Sequence, residues 1–213
     1  MGTRTRMHMS QRAQLTGIYQ WNPMPHIVDI RCPECGGRAE FEFAEVVRIR
    51  LKKDVDFFKK SKPFEYRFLR DRAGTGWHAA FYFLRVHGRS TDVLDDLPAG
   101  YSPADWNHSR YLYRSHGHDW GTVDCFECDL RRKHVLSWPD EAFYQIVFGR
   151  AVLWAFHRES AVEIRNFIVS VDRDPAAFKW RTLLVHLPKE FLAAKARDGI
   201  VKRLDRLLVP GVR

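Results

Sequence analysis

The sequence predicts an α+β protein with an antiparallel, β-rich body and helices toward the C-terminus. Apolar residues alternate with polar ones over 41–51, at the period of two that is typical of strands. By contrast, segment 189–208 places apolar residues three and four positions apart, which is typical of an amphipathic helix. Strands and helices do not alternate along the chain, so a doubly wound parallel sheet is not expected.

The first half of the chain is predicted to form strands joined by turns and loops. The alternation over 41–51 slips near Ala44, which indicates a bulge. A charged loop is expected over 52–63, and a β-hairpin over 64–86 around the turn residues DRAGTG, with Phe64, Tyr66 and Phe68 on one face. Ser102 and Pro103 then predict the start of a helix that runs to about Ser115.

The second half is predicted to pass from strands to helices. Gly149-Arg150 suits the two-residue turn of a hairpin, and the sequence Ser160 to Glu163 matches a capping box that opens a helix. The remaining elements predicted there are a strand over 132–138, a short strand over 181–187 and a long helix over 189–208.

The net charge and the N-terminal segment limit the partners and the cellular location that we expect for this protein. The chain has 213 residues and a net charge of +9, which fits nucleic acid, an anionic surface or an acidic protein as partner. No apolar run approaches the roughly 20 residues of a membrane-spanning helix, and no apolar signal segment follows Met1. We therefore expect an intracellular protein without a membrane partner. A flexible basic arm is predicted over 1–26 and a single α+β domain over 27–213.

All four cysteines occur in two pairs, each with two residues between its members. The pairs are Cys32 with Cys35 and Cys125 with Cys128. Two tight turns of this kind supply the four thiolates of a tetrahedral site and leave no position for water, which indicates a structural zinc ion rather than a catalytic one. Gly36 and Gly37 follow the first pair, and glycine permits the left-handed backbone that such a turn requires.

The two pairs resemble the knuckles of zinc-ribbon proteins, each of which leads into a strand. The resemblance covers about 14 residues around each pair and implies one bound Zn²⁺. Pairs in common zinc modules are separated by about 15–20 residues, whereas 89 residues separate them here. We therefore expect a ribbon formed by 27–51 and 120–138, an inserted hairpin and helix over 52–119, and a hairpin and helices over 139–213.

Other interpretations of the cysteines stay open at this point. The pairs could be redox-active, although the first precedes a strand rather than opening a helix, where thiolates are activated. They could form disulfides, although a reducing compartment disfavours these. His134 or His118 could also replace one thiolate in a mixed metal site.

Two groups of basic residues are candidates for contact with phosphates. Arginines alternate with aromatic residues in the predicted hairpin, where guanidinium groups could neutralise phosphates and rings could stack on bases. The candidates there are Arg67, Arg70, Arg72, Trp77 and Arg85. A second stripe, opposite the apolar face of the C-terminal helix, contains Lys195, Lys202 and Arg206. The alternative is that the aromatic residues fill a core and the basic residues are solvated.

These features lead to three functional hypotheses. The first is a non-enzymatic, zinc-stabilised protein that binds nucleic acid or acts within a nucleoprotein complex. The second is a zinc-stabilised adaptor that binds proteins, including an acidic partner, through exposed aromatic residues. The third is a metal-dependent hydrolase or nuclease, and its candidate ligands or acid–base groups are His108, His116, His118 and Asp119.

Overall fold

The computed structural model describes residues 25–70, 74–88, 90–106 and 120–209. Over these residues the chain is α+β, with antiparallel sheets and helices toward the C-terminus, which confirms the predicted fold class. The chain divides into two compact units. We call Cys32–Ser137 the cysteine unit, and Met1–Arg31 with Trp138–Arg213 the terminal unit. The division does not test the predicted domain boundaries, which stay a prediction, and most of the predicted arm lies outside the described residues.

The described residues form nine strands and six α-helices. The strands are β1 (Ile27–Arg31), β2 (Arg38–Phe43), β3 (Glu45–Arg48), β4 (Phe64–Arg70), β5 (Gly76–Tyr82), β6 (Trp120–Asp124), β7 (Arg131–Val135), β8 (Gln145–Phe148) and β9 (Ala151–Trp154). The helices are α1 (Val55–Lys60), α2 (Leu84–His87), α3 (Arg158–Val169), α4 (Arg181–Val185), α5 (Lys189–Leu192) and α6 (Ala194–Leu208). Short 3-10 turns lie at Lys52–Asp54, Pro103–Trp106 and Pro175–Ala177. None of the helices in these ranges has the length and apolar composition that crossing a membrane requires.

The cysteine unit contains two antiparallel sheets, and the chain passes from the first to the second between β2 and β3. β2, β6 and β7 lie in one sheet, in that order, and β3, β5 and β4 form the other. The predicted slip at Ala44 is the point where the chain leaves the first sheet and enters the second. The expected bulge is therefore a change of sheet, and β3 is the first strand of the second sheet, which we call the inserted sheet. In β6, Gly121 approaches the Glu42 carbonyl so closely that a Cβ atom would overlap it.

The hairpin predicted over 64–86 is confirmed as β4 and β5. Phe64 and Tyr66 pack in the same cluster, and Tyr66 and Phe68 both pack against His78, so these three side chains share one face as predicted. Phe64 packs with Trp106 in one cluster, whereas Leu69 packs in a second cluster on residues of β5. Both faces of the inserted sheet are therefore partly covered: Leu69 on the opposite face is 3% exposed, whereas Phe68 on the predicted face is 52% exposed.

The loop predicted over 52–63 is wrong. This segment forms the turn Lys52–Asp54 and then α1. Val55 and Phe58, three positions apart, lie on the buried side of the helix and pack in the Trp106 cluster, which explains why a helix forms in a charged segment. The helix predicted from Ser102 is described only as the turn Pro103–Trp106, because the positions that follow lie outside the described residues.

In the terminal unit, β8 and β9 form the predicted hairpin. Phe148 pairs with Ala151, so Gly149 and Arg150 alone form the turn, and Gly149 adopts a φ of +61°. This is the left-handed conformation that glycine adopts without steric cost, as a two-residue turn requires. The short strand predicted over 181–187 is wrong, since Arg181–Val185 is helical.

The predicted helix over 189–208 is two helices, α5 and α6, which separate where Ala193 adopts an extended conformation with ψ 136°. Ala196, Ile200 and Leu204 form the buried stripe of α6. They face α3, and Arg165 of α3 donates a hydrogen bond to Asp205 at 2.8 Å across that contact.

Helix α3 begins earlier than the predicted capping box indicates. His157 is the N-cap: its Nδ1 accepts a hydrogen bond from the Ser160 backbone N–H at 3.3 Å, and the Ser160 hydroxyl accepts one from the His157 N–H. Burial lowers the pKa of His157, against the opposite effect of Asp29 and Glu159 and with a smaller lowering by Lys179. The cap therefore favours neutral imidazole, whose Nδ1 lone pair is free to accept.

Candidate metal centre and basic surfaces

The two cysteine pairs adopt the same local geometry. The backbone N–H of Cys32 donates to the Gly37 carbonyl, and that of Cys125 donates to the Leu130 carbonyl, both over five residues and both at 2.8 Å. Gly36 has a φ of +74°, and Asp129, the equivalent residue of the second pair, has a φ of +55°. Aspartate is one of the few residues other than glycine that enter this region readily, so the second knuckle forms without a glycine.

Each knuckle leads directly into a strand, as the zinc-ribbon resemblance predicts. β2 begins three residues after Cys35, and β7 begins three residues after Cys128. β6 lies between β2 and β7 in the same sheet and ends immediately before Cys125. The sheet thus brings the two pairs together despite the 89 residues between them.

The four sulfur atoms lie at the spacing of a tetrahedral site. The Sγ atoms of Cys32 and Cys128 are 3.6 Å apart, as are those of Cys35 and Cys125, and all four lie within 4.8 Å of one another. Four thiolates bound to one zinc ion at about 2.3 Å would be about 3.8 Å apart. Cys32 and Cys125 are buried, whereas Cys35 and Cys128 are exposed, so each knuckle contributes one inner and one outer ligand.

Backbone donors help to stabilise negative charge on the sulfurs. The N–H groups of Glu34 and Gly37 point at the Sγ atoms of Cys32 and Cys35, each at 3.4 Å. Burial opposes ionisation of Cys32, but backbone donors and the neighbouring thiols lower its pKa to about 7. The backbone N–H of Leu130 acts in the same direction on Cys128, yet burial and the adjacent thiols raise the pKa of Cys128 to about 12. The four sulfurs therefore do not ionise independently.

The structure disfavours two of the other interpretations of the cysteines, the disulfides and a mixed metal site that includes His134. Sulfurs 3.6 Å apart are not bonded, since a disulfide requires about 2.05 Å. His134 packs edge-on against the Phe41 ring at 6.1 Å and is not a member of the sulfur cluster. His118 lies outside the described residues. The residues present fit a divalent, thiophilic ion with no open coordination position, which is the donor set of a structural site.

Arg85, predicted as a phosphate contact, is held by carboxylates of the cysteine unit. Its guanidinium donates to Glu40 at 2.7 Å, to Glu42 at 2.8 Å and to Asp124 at 3.2 Å. Burial disfavours the charge, but Glu40 and Glu42 raise the pKa of Arg85 above its ordinary value. All of its nitrogen atoms are thus engaged with carboxylates that join β2 to β6, and Arg85 is not a candidate for binding phosphate.

The other hairpin residues that were predicted to contact phosphates are only partly free to do so. Arg67 forms an ion pair with Glu65 at 2.6 Å and lies over the Trp120 ring at 4.1 Å. Although burial opposes it, Lys133 and Arg67 hold the pKa of Glu65 below its ordinary value. Trp77 is half-buried beside the core, Arg70 is exposed at the end of β4, and Arg72 lies outside the described residues. The alternation of arginine and aromatic residues is therefore largely structural.

The stripe predicted on the C-terminal helix is present. Lys195, Lys202 and Arg206 are all exposed on α6. Two acidic residues, Asp198 and Asp205, could weaken this stripe: Asp205 is bound by Arg165, whereas Asp198 is exposed on the same helix. Arg206 also lines a shallow groove of about 280 Å³ beside β8, so its side chain borders open space.

One basic surface is missing from the sequence analysis. Segment 48–62 contains seven basic and two acidic residues, and every basic side chain in it is exposed. A count of charge in short windows would have found it, because the lysine-rich sequence KKDVDFFKKSK stands out at that scale. The proposed hydrolase residues, His108, His116, His118 and Asp119, lie outside the described residues.

Comparison with known proteins supplies no relative: no family model, curated protein or solved structure matches this chain.

Proposed function

We propose that this protein uses one structural Zn²⁺ to hold the cysteine unit together, and that it binds nucleic acid or acts within a nucleoprotein complex without catalysing a reaction. The observation that supports the metal is the convergence of four sulfurs from two equivalent knuckles. A closed set of four thiolates supplies folding free energy and no reactive position.

The support for nucleic acid is the exposed charge that acidic residues of the protein do not neutralise. Lys195, Lys202 and Arg206 lie along one face of α6, while the nearby Asp205 is bound by Arg165. Cations arranged in this way can replace the counterions of a phosphate backbone, which gives affinity without base recognition.

Metal content and binding are tested separately. Purified protein should contain one zinc ion per chain by elemental analysis. Iron, which the same ligand set accepts, would instead give a coloured protein and would overturn the choice of zinc. Fluorescence anisotropy with single-stranded DNA, duplex DNA and RNA across a salt series should show binding that weakens steeply as salt increases. Absence of binding near physiological salt would overturn the nucleic-acid role.

An adaptor function is the second candidate, because one aromatic side chain is exposed at the metal centre. Phe126 lies between the two ligands of the second knuckle and is 64% exposed. Exposed aromatic residues on a rigid turn are typical anchors of protein interfaces. If nucleic acid does not bind, Phe126→Ala in a partner-binding assay becomes the decisive variant.

A further inference from the structure

Segment 48–62 concentrates positive charge on the surface of the cysteine unit. Of its two acidic residues, Asp54 is buried and Asp56 is exposed. The segment therefore presents more net positive charge to solvent than its sequence suggests. Its basic residues are Arg48, Arg50, Lys52, Lys53, Lys59, Lys60 and Lys62.

Ion pairing separates the lysines of this segment from several other cations of the cysteine unit, although Arg50 of the segment is itself paired with Asp105 at 3.6 Å. Several basic residues elsewhere in the unit are bound to carboxylates: Arg67 and Lys133 to Glu65, Arg85 to three acids, Arg131 to Asp124 and Arg132 to Glu34. Within the described residues, the side chains of Lys52, Lys53 and Lys60 take part in no ion pair. No acid of the described residues therefore neutralises these three lysines, whereas six other cations of the same unit are paired with acids.

Lys52 and Lys53 lie where a positive charge destabilises the adjacent helix. Lys52 and Lys53 precede α1, where the positive end of the helix dipole disfavours cations. The buried side of α1 is formed by Val55 and Phe58, so the lysines project from the opposite side, into solvent. Cations that lie at the positive end of a helix dipole without a compensating contact are candidates for a functional role.

We propose that this lysine surface, made of Lys52, Lys53, Lys59, Lys60 and Lys62, binds the phosphate backbone of nucleic acid without reading its sequence. The proposal rests on the proposed function and assigns one contact surface to it. Lysine ammonium groups act as point charges and lack the fork geometry that identifies a base. From Lys52 to Lys60 the helical segment is at least about 12 Å long, a length over which duplex DNA presents about seven phosphates.

Nucleic acid fits this surface better than an anionic membrane does. An interfacial helix needs an apolar face that enters the lipid, but the apolar residues Val55 and Phe58 are buried in the protein core. Leu51 is exposed at the edge of the segment, and Phe57 packs against the Phe58 ring at 5.2 Å. One exposed leucine does not form an apolar face, so the charge is the dominant feature of the surface.

The test compares two triple variants with the same loss of charge. K52Q/K53Q/K60Q removes three unpaired lysines, and Lys59 is retained because its ammonium lies over the Tyr66 ring at 5.0 Å. The control R132Q/K133Q/K179Q removes three exposed cations that are paired with acids. Affinity for a fluorescent 20-base-pair duplex is measured by anisotropy from 50 to 300 mM salt.

The lysine variant should lower the slope of log K against log salt by about 2 to 3, which corresponds to a loss of up to about 500-fold at 0.1 M salt. The control should change the slope by less than about 1. An unchanged slope in the lysine variant, or an equal change in both variants, would overturn the lysine surface while the proposed function stands. If wild-type protein does not bind the duplex, a single strand or RNA, the proposed function itself fails, and the lysine surface with it.

Two further measurements distinguish nucleic-acid binding from a structural role and from membrane binding. The melting temperature of K52Q/K53Q/K60Q should equal or exceed that of wild type, since the variant removes repulsion and no ion pair. A clear decrease would assign the lysines a structural role and overturn the proposal. Binding of wild-type protein to vesicles of phosphatidylserine and phosphatidylcholine, with weaker binding to nucleic acid at the same salt, would assign the surface to membranes and also overturn it.

Discussion

Replacing Cys125 by serine tests whether the four sulfurs act as one metal centre. A metal ion would join Cys35 to Cys125 across 89 intervening residues. A cross-link that closes a loop of this length restricts the unfolded chain enough to contribute about 4.6 kcal/mol. Whole domains are stable by about 5–15 kcal/mol, so the loss would be a large share of the total. For a unit of about 100 residues it corresponds to a fall in melting temperature of roughly 20 °C or more.

The matched variant is Cys35→Ser. Cys35 is exposed and Cys125 is buried, so simple loss of packing would harm only the Cys125 variant. Loss of a metal ligand would harm both alike. Melting is followed by circular dichroism, with zinc and then with a chelator. We expect the chelator to lower the melting temperature of wild type to that of the variants, and to leave the variants unchanged. A Cys35→Ser protein that melts with zinc-loaded wild type would refute the shared site.

Three further predictions concern stability. Arg85→Met should cost about 3–5 kcal/mol in urea unfolding, since it removes the cation that Glu40, Glu42 and Asp124 share, while Asp124 keeps its pair with Arg131. The control Lys179→Met, which breaks an exposed pair, should cost less than about 1 kcal/mol. Equal losses in the two variants would contradict the buried network. Gly121→Ala should lower the free energy of unfolding by about 3 kcal/mol, because it forces β6 away from β2. Gly199→Ala, in open space on α6, should instead raise it by about 0.5–1 kcal/mol. If Gly121→Ala is tolerated, the close approach of Gly121 to the Glu42 carbonyl is refuted. Because the pKa of His157 is lowered on folding, the unfolded chain binds a proton that the folded chain does not, so stability should fall as pH decreases through about 6.5. His157→Asn, a cap that does not titrate, should weaken this dependence in melts from pH 7.5 to 5, and an identical pH profile would rule out the neutral cap.

The features that the sequence predicts well are those set by nearby residues. Each knuckle spans six residues, closes with a bond from residue i to residue i+5, and depends on a residue that tolerates positive φ. The β8–β9 turn depends in the same way on Gly149 and its two flanking strands. Such elements need no information from elsewhere in the chain, and the spacing of the cysteines and glycines was sufficient to predict them.

The errors fall where a distant partner decides the outcome. The slip at Ala44 is visible in the sequence, but whether the next strand continues in the same sheet depends on β5, which lies over 30 residues away. Segment 181–187 is a short apolar run, and periodicity alone does not distinguish a strand from a buried helix at that length. In 52–63 the many charges suggested a loop, whereas the spacing of Val55 and Phe58 was the more informative signal.

Basic residues show the same limit in a form that bears on function. Arg85 and Lys53 carry equal charge in the sequence, and the arginine lies among aromatic residues, which made it the stronger candidate. Its carboxylate partners are 39 to 45 positions away along the chain, on strands that only the folded sheet brings together. Lys53 has two acidic residues within three positions, yet one of them, Asp54, is buried. The number of basic residues therefore measures attraction for a polyanion only after those held in internal ion pairs have been subtracted. In the cysteine unit this subtraction moves the prediction from the arginines of the hairpin to the lysines around α1.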